Sequence, residues 1–283
     1  MLFRSVQLIT RNGVTQGIFP EGGLTRDGKL RPPKIGLLDY ALGVAREPGF
    51  VERMYLVPVA INFDRVLEDR SLLRELRARE GEERAGRLRQ LSEVLDYAAW
   101  NVVRLLSRRW KRYGTAAVVV GEPVPLAPWF ARLAERGEPL FGLDRAQRLG
   151  QIQELADDAM RRIGEIIPVT TVPLVAAALQ TFDADFVTRT ELLDRISEIR
   201  ESLRHRDRQL VECDGNPGEV LERAYALLRM RRVIARTGDG FLILPKGREL
   251  ISYYANSVSH LLGEFEAAVR ARDALPVHAV VDL

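Results

Sequence analysis

Two short apolar runs, Met54 to Ile61 and Thr115 to Val120, limit the possible folds of this chain more than any other feature of its sequence. Each run predicts a strand covered on both faces, as in a mostly parallel sheet. Helices are predicted at Leu37 to Val44 and, by apolar residues at helical spacing, from Leu88 to Leu105. Strands and helices therefore alternate. This predicts an α/β domain with a mixed, mostly parallel sheet over residues 1–165.

The pattern changes near residue 166, after which helical periodicity dominates. Helices are predicted at 189–204, 217–230 and 247–270. The Asp-Gly pair in Gly238-Asp239-Gly240 lies between two apolar runs, which is typical of a β-hairpin. Two helices followed by a two-stranded wing are the outline of a winged-helix module. We therefore expect a second, mainly helical domain over residues 166–283.

The composition of the chain limits the classes of function that it can have. The 283 residues are 46% hydrophobic and 29% charged, which fits a folded globular chain, and the net charge of +3 is too small to argue for a nucleic-acid partner. Cys213 is the only cysteine, which excludes internal disulfides and cysteine-based zinc sites, and no metal site is predicted. The longest weakly polar stretch, Ile166 to Leu179, is shorter than the roughly 20 residues of a membrane-spanning helix. Any contact with a membrane is therefore expected at its surface.

The segment from Gly17 to Gly36 predicts a site for a phosphate-sized anion. A short strand at Gly17 to Phe19 is expected to lead into a glycine-rich loop that carries one carboxylate, Glu21. Glycine N–H groups can approach an anion closely, and arginine and lysine side chains neutralise its charge. No lysine of the loop is followed by serine or threonine as in a nucleotide P-loop. The basic residues of the loop are Arg26, Lys29, Arg31 and Lys34.

This segment resembles the third conserved block of the glycerolipid acyltransferases, in the form used by the bacterial glycerol-3-phosphate acyltransferases. Three further matches follow in the family's order and extend the resemblance over nearly the whole chain. The last of them contains Tyr253-Tyr254-Ala255-Asn256-Ser257 and is similar to the end of the long glycerol-3-phosphate type. The matching segments are Phe19 to Gly23 with Thr25-Arg26 and Pro32 to Gly36, then Leu56 to Ile61, Gly121 to Pro123 and Leu250 to Leu262.

The resemblance implies a set of substrate-binding residues. Five residues of the loop would bind the glycerol 3-phosphate moiety, and one proline would shape the acyl-donor side. The family usually has a further arginine where this chain has Leu24. The implied substrate-binding residues are Glu21, Gly22, Gly23, Arg26, Lys34 and Pro58.

The resemblance also implies an activity. A fatty acyl group would pass from acyl-CoA or acyl-carrier protein, as co-substrate, to the sn-1 hydroxyl of glycerol 3-phosphate in phospholipid synthesis. No cofactor is implied. The implied partners are these substrates and a membrane surface, not nucleic acid. The implied location is peripheral, on the cytoplasmic face of the cell membrane.

The family's catalytic motif is a histidine followed five residues later by an aspartate, a pairing suited to general-base catalysis near neutral pH. This chain has three histidines, His205, His260 and His278, and none is followed by an aspartate at that distance. The motif would precede residue 1. We therefore expect a partial acyltransferase domain without catalytic residues, and a chain that is inactive alone.

Several residues have simpler interpretations. His205 is interpreted as a solvated residue at a helix end, and Tyr253 and Tyr254 as core or interface aromatics. Ordinary packing and a membrane interface both stay open for three aromatic residues near basic ones, Trp110, Trp129 and Phe130.

A second hypothesis is a non-catalytic scaffold or regulatory protein, in which a degenerate acyltransferase domain carries a winged-helix module that binds DNA or protein. A nucleic-acid role requires a basic recognition helix beside a basic wing. The helix at 217–230 instead contains Glu219, Glu222 and Arg223, and the wing tip carries Asp239. We therefore favour the acyltransferase hypothesis.

Overall fold

The computed structural model describes residues 2–66 and 114–273, so the predicted helix from Leu88 to Leu105, Trp110 and His278 lie outside the described residues. The contacts form two compact units. That residues 1–165 and 166–283 fold as separate domains stays a prediction. Within the described residues, the first unit comprises 2–25, 30–61 and 118–168, and the second comprises 26–29, 62–66, 114–117 and 169–273.

The described residues before 166 form helices and short strands, joined by two single turns of 3-10 helix. In chain order the elements are α1 (Leu2–Arg11), α2 (Gly36–Leu42), β1 (Tyr55–Leu56), β2 (Val59–Phe63), β3 (Ala116–Val120), β4 (Val124–Pro125), α3 (Ala127–Glu135) and α4 (Arg145–Glu165).

The core of the first unit is formed by apolar side chains of α2, α3 and α4. Leu42, Leu133 and Ile152 are almost completely buried within it. Trp129 belongs to the same cluster, and Phe130 packs against it with its ring at 4.9 Å from that of Trp129. Of the two interpretations of these aromatics, the structure therefore favours ordinary packing.

The strands form antiparallel pairs. β1 pairs with β4 in antiparallel register, and β2 pairs with β3. Hydrogen bonds from Asp64 N to Thr115 O and from Gly121 N to Pro58 O, at the two ends of the β2–β3 pair, give it the same antiparallel sense. The mostly parallel sheet predicted from the apolar runs is therefore wrong for the described strands.

The reason lies in the burial of β2. Its residues alternate between exposed and buried, so only one face of the strand is covered. Val59 and Ile61 are 42% exposed each, and Val118 of β3 is 59% exposed. Because the uncovered face also carries apolar residues, the sequence lacks the alternation of apolar and polar residues that identifies a half-buried antiparallel strand.

The second unit is mainly helical around a three-stranded antiparallel sheet of order β5-β7-β6. Helix α5 is buried from Thr171 to Leu179 and contacts α6, α7 and α8. Its elements are α5 (Thr171–Gln180), β5 (Phe186–Thr188), α6 (Arg189–His205), α7 (Pro217–Met230), β6 (Ile234–Thr237), β7 (Gly240–Ile243), α8 (Gly247–Asn256) and α9 (Ser259–Asp273).

The predicted helices at 189–204 and 217–230 and the hairpin around Gly238 are confirmed. The predicted helix at 247–270 is wrong in one respect, since it is broken between Asn256 and Ser259. The hydroxyl of Ser257 donates to Tyr254 O at 2.7 Å, and that of Ser259 donates to Asn256 O at 3.1 Å. Such hydroxyls compete with the helix for backbone carbonyls, which accounts for the break.

The predicted strand at Gly17 to Phe19 is wrong, because these residues have no regular structure. Phe19 is 79% exposed, and the chain turns directly after it through a hydrogen bond from Gly22 N to Phe19 O. A strand needs a neighbouring strand to satisfy its backbone groups, and none of the strands in the described part of the chain pairs with these residues. Within residues 2–66 and 114–273, no helix is long and apolar enough to cross a membrane.

Candidate functional site

Two hydrogen bonds close the glycine-rich loop. Glu21 accepts through Oε2 from the backbone N–H of Arg31 at 3.0 Å, and the N–H of Lys34 donates to Pro20 O at 2.7 Å. These bonds hold together segments that are ten to fourteen residues apart in sequence. In this arrangement the Glu21 carboxylate fixes the shape of the loop.

Gly22 lies directly beneath the Lys34 side chain. Its φ of +65° lies in the left-handed region that favours glycine. A Cβ at this position would lie 2.6 Å from Cδ and 3.1 Å from Nζ of Lys34. Gly22, Gly23 and Lys34 are all exposed. The structure therefore brings an ammonium group beside an accessible glycine backbone, as an anion site requires.

Arg31 borders the other glycine of the pair. One of its terminal nitrogens, Nη1, would lie 3.7 Å from a Cβ at Gly23, and the same nitrogen donates to Leu24 O at 3.4 Å. Leu24 itself is 60% exposed. The family resemblance implies no substrate-binding role for Arg31, and its position beside Gly23 adds it to the candidate site.

Arg26 and Pro58 are the other two residues of the predicted site. Arg26 belongs to the four-residue segment 26–29, which is part of the second unit. Pro58 is buried, and its carbonyl accepts from the N–H of Gly121 at 2.8 Å. A Cβ at Gly121 would lie 2.9 Å from Pro58 Cγ and 3.0 Å from Ile166 Cδ1, so glycine permits this close approach. Two of the sequence motifs, around Pro58 and Gly121, therefore contact each other.

Segment 26–29 packs against the end of helix α8. The side-chain amide of Asn256 donates to Asp27 O at 2.7 Å. Gly28 is buried, and a Cβ there would lie 1.9 Å from Tyr253 O. The Tyr253–Ser257 motif is recognisable in the sequence but this contact is not, because local patterns do not reveal partners 229 residues apart.

The described histidines are on the surface of helices. His205 lies at the end of α6, where Nε2 is 3.2 Å from Glu201 Oε1, and its side chain is 76% exposed. This confirms its interpretation as a solvated helix-end residue. His260 is exposed on α9.

Tyr253 and Tyr254 are buried with their rings edge to face at 5.5 Å, which confirms them as core aromatics. Among the described residues, no cluster of histidine, cysteine, aspartate or glutamate could hold a metal ion.

Comparison with known sequences places the larger part of the chain in one family. The family described as "Glycerol-3-phosphate acyltransferase C-terminal region" matches residues 98–265, more than half of the chain. The chain belongs to this family. The matched range of the acyltransferase C-terminal region includes Gly121, the helices α3 to α8 and the Tyr253–Ser257 motif.

Longer acyltransferases are similar to this family member over almost its whole length. The "Glycerol-3-phosphate acyltransferase" of Pseudoalteromonas atlantica is 26% identical over 296 aligned residues, which cover 98% of this chain and 34% of that protein. The protein of the same name from Xanthomonas campestris pv. campestris is 27% identical over 271 residues, covering 92% of this chain and 29% of its own length. The chain thus spans about a third of the length of these curated relatives.

Proposed function

We propose that this chain is part of a glycerol-3-phosphate 1-O-acyltransferase of phospholipid synthesis. In that reaction the sn-1 hydroxyl oxygen forms an ester bond with the acyl carbonyl carbon while the C–S bond of a thioester breaks. The thiol of CoA or of acyl-carrier protein leaves with the proton, and lysophosphatidate is the product. The observation that carries the proposal is the Glu21–Lys34 loop, in a chain of the family named above.

The phosphate group would bind at the glycine pair. An anion beside Gly22 and Gly23 meets the Lys34 ammonium across the loop, because the Lys34 side chain lies over Gly22. Arg31 lies at the second glycine. Charge-assisted hydrogen bonds from ammonium and guanidinium groups are among the strongest that a phosphate accepts. By the family resemblance alone, Arg26 is a further candidate for binding the phosphate.

The acyl donor would approach near Pro58. The close contact between Pro58 and Gly121 gives this segment a fixed backbone, and the apolar side chains of Val57 and Val59 on either side are 45% and 42% exposed. An apolar surface of this kind suits a fatty acyl chain. The proposal does not distinguish CoA from acyl-carrier protein as the carrier.

No histidine of this chain is followed by an aspartate at the family distance, so we assign no general base among its residues. This chain's own contribution is then to bind and orient glycerol 3-phosphate. We further propose a peripheral association with the cytoplasmic face of the membrane, where the acyl product partitions.

The second unit is proposed to be a winged-helix module that serves as packing architecture. The order α5, β5, α6, α7, β6, β7, with β7 central in the sheet, supports this. The exposed side of α7 presents Glu219 and Glu222 as well as Arg223. A surface of mixed charge does not favour a DNA-binding role.

The test is an acyl-transfer assay on the protein as its gene encodes it. Purified protein is given glycerol 3-phosphate with a long-chain acyl-CoA or acyl-carrier protein, and the product is analysed by mass spectrometry and by NMR for the acylated position. We expect lysophosphatidate acylated at sn-1. Transfer only when 1-acylglycerol 3-phosphate is the acceptor, or no transfer with either carrier, would contradict the proposal.

A further inference from the structure

The Glu21 carboxylate is tied to the backbone of Arg31 across the glycine-rich loop. Its Oε2 accepts from the Arg31 N–H at 3.0 Å, although the two residues are ten positions apart in sequence. Both residues are half-buried. A hydrogen bond between an ionised acceptor and a backbone N–H is among the stronger ones in proteins. It therefore restrains the part of the loop from which the Arg31 side chain extends.

The Arg31 side chain reaches back over the first part of the loop. Its Nη1 donates to Leu24 O at 3.4 Å and would lie 3.7 Å from a Cβ at Gly23. Leu24 is 60% exposed, and its own side chain carries no charge. The guanidinium beside Gly23 therefore comes from residue 31, across the loop, and not from the residue that follows Gly23 in sequence.

Gly23 offers a backbone donor at the same place. It is exposed, and its N–H forms no hydrogen bond with a backbone carbonyl in the part of the chain that the structure describes, whereas the N–H of Gly22 donates to Phe19 O at 3.0 Å. An exposed N–H beside a guanidinium presents hydrogen-bond donors and a positive charge to an anion. Gly23, Glu21 and Arg31 all belong to the first unit.

The charge of Glu21 argues against a direct contact with the phosphate. A phosphate monoester carries close to two negative charges near neutral pH, and like charges a few ångströms apart repel each other. A carboxylate that touched the phosphate would therefore weaken its binding. The hydrogen bond from Arg31 N gives the carboxylate a different role, because it directs Oε2 to the backbone of the loop.

We propose that Glu21 is a positioning residue, which holds Arg31 so that its guanidinium binds the phosphate of glycerol 3-phosphate beside Gly23. The inference rests on the proposed function, because it requires that phosphate to bind at this loop. Glu21 itself does not contact the substrate. A guanidinium that is already in place loses less conformational freedom on binding than one that must first be ordered, so the bond to Glu21 increases the affinity for the phosphate.

Four variants of the protein as its gene encodes it test this role. Glu21→Gln keeps the side-chain length and an acceptor oxygen without the charge, whereas Glu21→Asp keeps the charge but shortens the reach by one methylene. Arg31→Ala removes the guanidinium, and the fourth variant combines it with Glu21→Asp. Arg132→Ala, at an exposed position on α3, is the control. Calorimetry gives the Kd for glycerol 3-phosphate, and steady-state kinetics give kcat and the KM for both substrates.

We expect Arg31→Ala to raise the Kd and KM for glycerol 3-phosphate by about 10- to 150-fold, the loss of a hydrogen bond between charged groups. Glu21→Asp should raise them by about 3- to 10-fold, and Glu21→Gln should stay within about threefold of the wild type. In the Arg31→Ala background, Glu21→Asp should have no further effect, because the residue through which it acts is gone. The kcat and the KM for the acyl donor should change less than about twofold in every variant, and Arg132→Ala should match the wild type.

The outcomes separate this role from the proposed function. Wild-type affinity of Glu21→Asp or of Arg31→Ala, or losses that add in full in the double variant, would overturn the positioning role and leave the proposed function in place. Weaker binding by Glu21→Gln than by Glu21→Asp would also overturn it, since the charge and not the reach would then matter. A wild type that neither binds nor acylates glycerol 3-phosphate would overturn both proposals. If Arg31→Ala does not fold, Arg31→Met, which keeps an unbranched apolar side chain, replaces it in the cycle.

Discussion

The carboxylate of Asp64 accepts a hydrogen bond of 2.9 Å from the backbone N–H of Val172, in the first turn of helix α5. The same oxygen accepts from the Thr171 hydroxyl at 3.1 Å, and the second oxygen accepts from Thr115 N at 2.9 Å. Asp64 is 3% exposed. A buried anion at a helix N-terminus satisfies donors that the helix cannot, so Asp64 ties α5 to the end of β2.

Asp64→Ala should lower the free energy of unfolding by about 3 kcal/mol, because two backbone N–H groups and one hydroxyl lose a buried acceptor. Urea denaturation followed by circular dichroism measures this change. Asp194→Ala, at an exposed position on α6, is the control and should change stability by less than about 0.5 kcal/mol. Equal stability of the two variants would show that Asp64 does not hold α5.

Arg248 holds the connection between α5 and β5. Its guanidinium donates to the carbonyls of Phe182, Asp183 and Ala184 at 2.6 to 2.8 Å, and Nε donates to Asp185 Oδ1 at 3.2 Å. A lysine cannot reproduce this fork, the planar set of several N–H donors of the guanidinium. Arg248→Lys should therefore cost about 1 to 2 kcal/mol of stability.

The control for Arg248 is Arg229→Lys, an exposed substitution near the end of α7. Thermal unfolding compares the two variants with the wild type. A melting temperature of Arg248→Lys that matches that of Arg229→Lys would mean that the charge, and not the fork geometry, is what this position requires.

Cys213 should be unreactive in the native protein. It is completely buried, and burial raises the pKa of its thiol from 9.0 to about 12, with the nearby Asp64 carboxylate adding to the effect. The pKa of this thiol is higher in the folded than in the unfolded protein. The contribution of Cys213 to the free energy of unfolding is therefore fully present below about pH 9 and is lost as the pH rises toward 12.

A thiol-reactive dye at pH 8 checks this expectation. Native protein should react at least about a hundred times more slowly than protein unfolded in guanidinium. The thiolate is the form that reacts, and in the native protein little of the thiol is ionised and the sulfur is shielded from the dye. Rapid labelling of the native protein at pH 8 would contradict the burial of Cys213.

The helices and the hairpin after residue 188 could be predicted from sequence because their ends are set by local chemistry. Thr188 and Glu191 form a reciprocal capping box at the start of α6, and Asn216 caps α7 ahead of Pro217. Gly238 has a φ of +57°, which suits the hairpin turn. Such signals lie within a few residues of the structure they determine.

The first unit and the site depend on contacts that local patterns do not contain. Apolar residues on both faces of β2 concealed its antiparallel pairing, and Phe19 lacks the neighbouring strand that its sequence suggested. That the loop binds an anion stays a prediction, made from its glycines and basic residues. The contact between Gly28 and Tyr253 was not, because only the fold brings two such distant residues together.

Residues 1–283 alone should not acylate glycerol 3-phosphate at an appreciable rate. An alcohol is a poor nucleophile near neutral pH, and a positioned general base contributes about a hundred- to ten-thousand-fold. No histidine of this chain is followed by an aspartate at the family distance. Assays of residues 1–283 and of a longer polypeptide that includes such a pair should differ by at least that factor. Comparable turnover would require a different base within this chain.

The most direct test of the account is a calorimetric titration of glycerol 3-phosphate into the wild type, Arg26→Ala, Lys34→Ala and the control Arg136→Ala, whose arginine is exposed at the end of α3. Charge-assisted hydrogen bonds to phosphate are worth about 1.5 to 3 kcal/mol, so Arg26→Ala and Lys34→Ala should each weaken binding by about 10- to 150-fold. Arg136→Ala should bind like the wild type. Wild-type affinity in both loop variants would contradict the assignment of this loop as the phosphate site.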